Sequence, residues 1–479
     1  MIQSPMLTQG QAPSPVRPAA VYAAPYPSNQ PEPRGHFPPA AHLHPHPSSN
    51  RQTYNSTAHS LIGLTSMPGK IPLAITLALA LTITTAAQSP STLSSEDRTF
   101  MASQIYHVIS TFFPGLAQQK FDAAYKHYLA TILRSDDRRE FDLASMAFVA
   151  ELHDGHSWFY DSWLDQNYGQ PIGFLAYPLA GRWTVVRSLI DSVHVGDVIT
   201  AIDETPIDEF FNRNLPFVSA SSSRDAGVSF FDTPAIFPEK FTITLADGRK
   251  VPIDRKNDKK STPAPEKTEA RWLRENSVAY IKVPTFHGIQ TQAQALDYLQ
   301  QFHDAKAVIL DVRGNPGNGM PTALQRSLMG RPFQTWTESS EEHGGALLRN
   351  YATAYPGHAT VTFTDTVITP REHAYDGRLI LLTDRICSCA CEDFVMPFKY
   401  SRRATLVGET TAGTFSLTRH VDYENGMILN IAAVHHTFPD GSQFEGVGIT
   451  PDVAVDLTPE DLRTGRDPVL QKALQLAQP

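Results

Sequence analysis

Cysteine is scarce here, with three in 479 residues, too few to staple a chain of this length into a disulfide scaffold. Apolar runs are scarcer still: a single stretch, Ile71 to Ile83, is long enough to matter. That excludes a polytopic membrane protein. Basic residues are not in excess, since 40 Lys and Arg face 49 Asp and Glu for a formal net charge of −9. Nothing in that balance suggests a nucleic-acid binder. What is present, 41% hydrophobic and 10% aromatic residues, suffices for two or three domains with their own cores. The class expected is a soluble globular enzyme or binding protein.

Residues 1–66 hold 12 of the 37 prolines, one acidic residue (Glu32) and no periodic apolar positions. Such a segment cannot bury enough surface to offset its ordering entropy, so it is expected to be disordered. His42, His44 and His46 are read as part of that biased tail and not as a metal site. Lys70, the apolar run and Thr85-Ala86-Ala87 then have the order of a secretory signal peptide over 67–87, too short to span a membrane. Met67 reads as the natural start, with residues 1–66 an over-long reading of the gene; an internal signal-anchor is the alternative. The exported chain runs from about Gln88. Residues 1–87 carry four basic residues and one acidic one, so their removal takes the net charge from −9 to −12.

From 88 to 168 the apolar spacing is helical, through Phe100, Ile105, Ile109 and Phe112, then Phe121 to Ile132, then Phe141 to Leu152. Short strands follow over 169–255. One of them, inside Gly196-Asp197-Val198-Ile199-Thr200-Ala201-Ile202-Asp203-Glu204-Thr205-Pro206-Ile207, resembles the carboxylate-binding peptide module called PDZ; an ordinary small β domain is the alternative. A charged, proline-bearing linker covers 256–266. Strands and helices then alternate over 267–458, an α/β arrangement whose sites lie at strand ends, and 459–479 reads as a C-terminal helix. The fold class expected is mixed α/β and α+β.

Three segments carry chemistry. Asp311 to Gly319 is a buried strand entering a Gly-rich turn without a Gly-Lys-Ser/Thr ending. It is no phosphate loop, but its N–H groups could face an oxyanion. Thr383 to Asp393 gathers all three cysteines within five residues at a strand-to-helix junction, where a thiol nucleophile gains from the helix N-terminus. A thiolate metal site and inert packing stay open as alternatives. Glu151 to Phe159 contains His153 and His156, a weak signal alone.

Together these segments resemble the tail-specific, or C-terminal-processing, serine peptidase family over roughly 95–458. Asp311-Val312-Arg313-Gly314-Asn315-Pro316-Gly317, Cys389-Ala390-Cys391-Glu392, Gly408-Glu409-Thr410-Thr411-Ala412-Gly413 and Gly448-Ile449-Thr450-Pro451-Asp452 carry the resemblance, in the family's order. It implies a catalytic domain of the ClpP/crotonase-like fold. One branch pairs its serine with a lysine where this chain has Thr414; Lys399 is no substitute, ten residues or about 15 Å along a helix. The tricorn-like branch instead uses a histidine and a glutamate, whose positions here are His156 and Glu445. The resemblance therefore implies an exported endopeptidase, with Cys389 where the family has serine. Ser388 is adjacent, but it points about 100° away on a helix. Cys389 attacks, His156 moves the proton, Glu445 orients the imidazole, and the N–H groups of Gly317 and Ala390 hold the oxyanion. A polypeptide is the only partner implied, without nucleic acid, metal or organic cofactor. Two rivals are an inactive peptide-binding protein of the same fold and a thiol redox or metal protein built on the cysteines.

Overall fold

The computed structural model describes residues 90–261, 266–343, 358–363, 367–423 and 425–478. The proline-rich segment, its histidines and the signal at 67–87 lie outside the described residues. The described chain opens with three helices, α1 (Ser95–Phe112), α2 (Gln118–Ile132) and α3 (Arg138–Ala150). Ser94 Oγ accepts the N–H of Asp97 and the Asp137 carboxylate that of Glu140, satisfying donors that a helix start leaves open. Ile105, Ile109, Phe121, Tyr128, Phe141 and Phe148 fill the space between the helices. Phe100, expected on this stripe, is 63% exposed. The stripe runs through Met101, Ile105 and Val108, and a one-residue offset turns Phe100 about 100° away from it.

The helical run expected over 88–168 is broken by a strand before the short helix Ser162–Tyr168. Trp158–Asp161 is a strand, antiparallel to Met427–Ala432, with Trp158 opposite Asn430. Its partner is distant in sequence, so no local period marks it. Arg138 reaches from α3 to Asp161 through two hydrogen bonds of 2.7 and 2.9 Å, both side chains almost wholly buried. This fork ties the start of α3 to the end of that strand.

Next come two small antiparallel sheets. Phe174–Leu179 pairs with Arg182–Ser188. In the other, Ile199–Ile202 lies between Thr205–Pro206 and Lys240–Leu245, with Lys250–Asp254 outermost. Trp183, Phe230, Phe231, Phe237 and Phe241 form an aromatic core beneath them.

The α/β part is built on a six-stranded sheet in the order 453–454, 404–408, 378–383, 307–311, 278–282 and 269–274. All neighbours are parallel except the last pair. The central strands are buried on both faces, as a parallel sheet requires. Val308, Leu310, Leu379 and Leu381 pack under the helix Ala390–Tyr400, and Ala307, Ile309, Ile380 and Leu382 pack under Pro468–Leu476. The C-terminal region forms two helices, not one: Gly465, at φ +67°, ends Pro459–Thr464 before Pro468–Leu476 starts. Strands 307–311, 378–383 and 404–408 all end on one side of the sheet, so their following loops converge there.

Candidate active site

Three loops meet at the carboxyl ends of these strands, and Cys389 stands at the centre. The strand Arg378–Thr383 passes into a turn pinned by Asp384. Its Oδ1 accepts from the N–H of Ile386 and Cys387, and its Oδ2 from that of Gly314. Cys389 then caps the helix Ala390–Tyr400 at φ +55°, ψ −126°, a backbone region that costs a non-glycine residue about 1–3 kcal/mol. The N–H groups of Ala390 and Asn318 point at its sulfur, yet burial dominates and lifts the thiol above its ordinary value. Cys387 and Cys391 are joined in a disulfide, which takes two of the three sulfurs out of any thiolate site. Ser388 is buried and its hydroxyl turns to the carbonyl of Pro316 at 3.4 Å.

Gly317 lies against this elbow so closely that only glycine fits. A Cβ there would stand 2.6 Å from the N of Ala390 and 2.8 Å from the O of Ser388, at φ +91°. Its expected role needs correction, however. The N–H of Gly317 donates to its own neighbour, Asn315 Oδ1, at 2.8 Å. The donor beside Ala390 is Asn318, one residue on, at φ +65°.

His156 arrives from the turn between α3 and the strand Trp158–Asp161. Its N–H donates to Asp154 Oδ1 (2.9 Å), and its carbonyl accepts from Asn430 Nδ2 (2.7 Å). The imidazole Nδ1 meets Thr414 Oγ1 at 2.9 Å. Desolvation pushes the ring down to about 3, so it is neutral. Thr414 is wholly buried and also joins the Cys389 loop, since its carbonyl accepts the N–H of Cys389 at 2.9 Å. Glu392, likewise wholly buried, accepts from Thr411 Oγ1, Gly413 N and Thr414 N and holds that loop in shape.

Glu445 was expected on the imidazole and is found one step removed. Its Oε1 accepts from Ser221 Oγ, and its Oε2 lies 3.5 Å from the N of Phe415. Ser221 Oγ in turn accepts the N–H of Gly155, next to His156, at 2.8 Å. Burial and the nearby Asp154 carboxylate hold Glu445 well above the usual carboxylate range. The fold thus brings Cys389, Ala390 and Gly317 into contact, links His156 to them through Thr414, and sets Glu445 behind Ser221. Thr414, Asn318 and Ser221 were missed. Thr414 and Asn318 directly follow two of the motifs; Ser221 lies in a segment with no signal of its own.

Residues 277–455 match peptidase family S41. Over 388 residues the chain is 24% identical to a tricorn protease homolog of Streptomyces coelicolor, covering 76% of this chain and 30% of that protein. Over 182 residues it is 25% identical to a carboxyl-terminal-processing protease of Synechocystis sp., 38% of either chain. The chain therefore spans well under half the length of these relatives. Among solved structures, mature CPAF complexed with lactacystin shares the fold at a TM-score of 0.61 and 12% identity, over 80% of this chain and 98% of that one. With its α/β sheet, its strand-end site and the match over residues 277–455, this part of the chain is similar to peptidase family S41.

Proposed function

We propose that this chain is an endopeptidase that hydrolyses peptide bonds of polypeptides by acyl transfer through Cys389. The observation that carries this reading is the elbow itself: a strained residue 389 with two N–H groups aimed at its sulfur, coupled through Thr414 to a neutral imidazole. Thiol and imidazole are both uncharged at rest, so the pair works like a serine–histidine pair and not as a thiolate–imidazolium. With Nδ1–H donated to Thr414 Oγ1, Nε2 offers its lone pair as the base. Cys389 Sγ attacks the carbonyl carbon and His156 Nε2 takes the thiol proton. The N–H groups of Ala390 and Asn318 stabilise the oxyanion. The imidazolium then protonates the leaving amine, and a water activated by the same ring hydrolyses the thioester. Glu445 supports this ring indirectly, through Ser221 and Gly155.

The pattern from Gly196 to Ile207 supports docking of a substrate C-terminus on the β module of 169–255. The order of features over 67–87, with a disulfide in the folded part, supports export to an oxidising compartment. The rival reading, a peptide-binding protein without turnover, is motivated by cysteine at the serine position. An activated peptide ester separates the two. The peptidase reading expects a stoichiometric acylation burst and hydrolysis of unfolded casein, both lost in Cys389→Ala. Casein cleavage that survives Cys389→Ala would overturn it.

A further inference from the structure

Cys389 is the middle residue of a five-residue ring closed by the bond between Cys387 and Cys391. Both half-cystines are wholly buried in the main core, beside Ala390, Phe394 and Val395. On one side, Cys387 belongs to the loop: its N–H is held by Asp384 and its carbonyl accepts from Ala412 N at 2.9 Å. On the other, Cys391 belongs to the first turn of the helix Ala390–Tyr400, its N–H on the carbonyl of Ser388 at 3.0 Å. The bond therefore ties the loop to the helix across Cys389, which is held at φ +55°. A backbone in such a region persists only where its surroundings over-determine it. Here the cross-link is the covalent part of those surroundings. With the bond open, residues 388–390 are free to relax. Relaxation takes the N–H of Cys389 off Thr414 and swings the N–H of Ala390 away from the sulfur.

We propose that the Cys387–Cys391 disulfide is a positioning clamp for the Cys389 elbow, and that two-electron reduction of it switches the site off. This rests on the peptidase reading for its activity readout, but not for its structural one. With a water-soluble phosphine as reductant, the disulfide and one water give two thiols and the phosphine oxide. Burial of both sulfurs makes this reduction slow in the folded protein, so the clamp stays closed in an oxidising compartment.

The test compares the parent, Cys387→Ala/Cys391→Ala, and the parent treated with phosphine. In the double variant Cys389 is the sole remaining cysteine, so maleimide labelling reports on it alone. The clamp predicts that kcat on casein peptides falls at least about tenfold with KM little changed. It also predicts that the treated parent falls to the same level and regains activity on reoxidation. Phosphine should leave the double variant unaffected. Circular dichroism should show both proteins folded, and if the double variant does not fold, the treated parent decides. A folded, reduced protein with parental kcat overturns the proposal. Should the parent itself not cleave casein, the peptidase reading fails. The clamp is then read from labelling at Cys389, resolved from Cys387 and Cys391 by peptide mapping after the phosphine is removed: a rate that changes several-fold on phosphine treatment supports it, and an unchanged rate overturns it.

Discussion

Thr414 is the residue at which the proposed base and nucleophile meet: its hydroxyl holds His156 Nδ1 and its carbonyl holds the N–H of Cys389. Thr414→Val keeps the shape and removes only the hydroxyl. On the proposed mechanism kcat falls roughly 10- to 100-fold with KM nearly unchanged, and Thr414→Ser restores most of it. Equal losses in both variants would deny the hydroxyl an orienting role. The neutral thiol supports a second prediction. Cys389→Ser keeps or raises activity, because a neutral hydroxyl needs the same general base that a neutral thiol needs. Burial raises the Cys389 thiol, so at any pH below that raised value less of it is thiolate. Alkylation by iodoacetamide should therefore still be climbing past pH 9, where an activated thiolate would have levelled off by about pH 7.5. His156 has a pH consequence of the opposite sign. The unfolded chain binds its proton near 6.5 and the folded chain only near 3. Between those values the unfolded state binds more protons, so this group makes stability fall on acidification. His156→Gln should lose less Tm between pH 7 and pH 5 than the parent does.

Among elements, a close joint is that of the Gly-rich turn against the helix Ala390–Tyr400. Gly317→Ala would drive a Cβ into backbone atoms of Ser388 and Ala390. Activity should vanish and stability drop by about 2–3 kcal/mol. Gly314→Ala is its control, also at positive φ but with open space around the added carbon, and should cost only about 1–2 kcal/mol. Chemical denaturation of both variants checks the contrast. The joint between α3 and the strand Trp158–Asp161 is ionic and buried. Arg138→Met leaves the Asp161 carboxylate without its partner, with an expected loss of about 3–5 kcal/mol. Adding Asp161→Leu should recover much of that, since the cost lies in the stranded charge.

At the scale of the whole molecule, the three cysteines report on the compartment. Exported protein is expected to begin near Gln88 by N-terminal sequencing. It should label at one thiol per chain without reductant, Cys389, and at three after reduction and unfolding. A secreted form still carrying the proline-rich segment would refute the assigned processing site.

Much of this architecture was legible in the sequence because it is written in local periods and short motifs. The strands at 278–282, 307–311 and 378–383 are largely apolar runs, and helical spacing marks α1 and α3. The motif residues Gly317, Cys389 and Glu392 sit in a turn, at a helix cap and in a first helical turn, whose geometry depends on their neighbours in the chain. What lay beyond reach were the pairings between distant segments. The strand Trp158–Asp161 exists because Met427–Ala432 lies beside it, so no local pattern encodes it. The imidazole partner had to be chosen between residues far apart in sequence, and tertiary packing chose Thr414, leaving Glu445 to Ser221. The N–H of Gly317 is taken by Asn315 Oδ1, and it is the N–H of Asn318 that acts on Cys389. Composition and spacing decide which residues reach the site. Which hydrogen bonds they make there is decided by competition among neighbours a few ångströms apart, and only the folded chain resolves it.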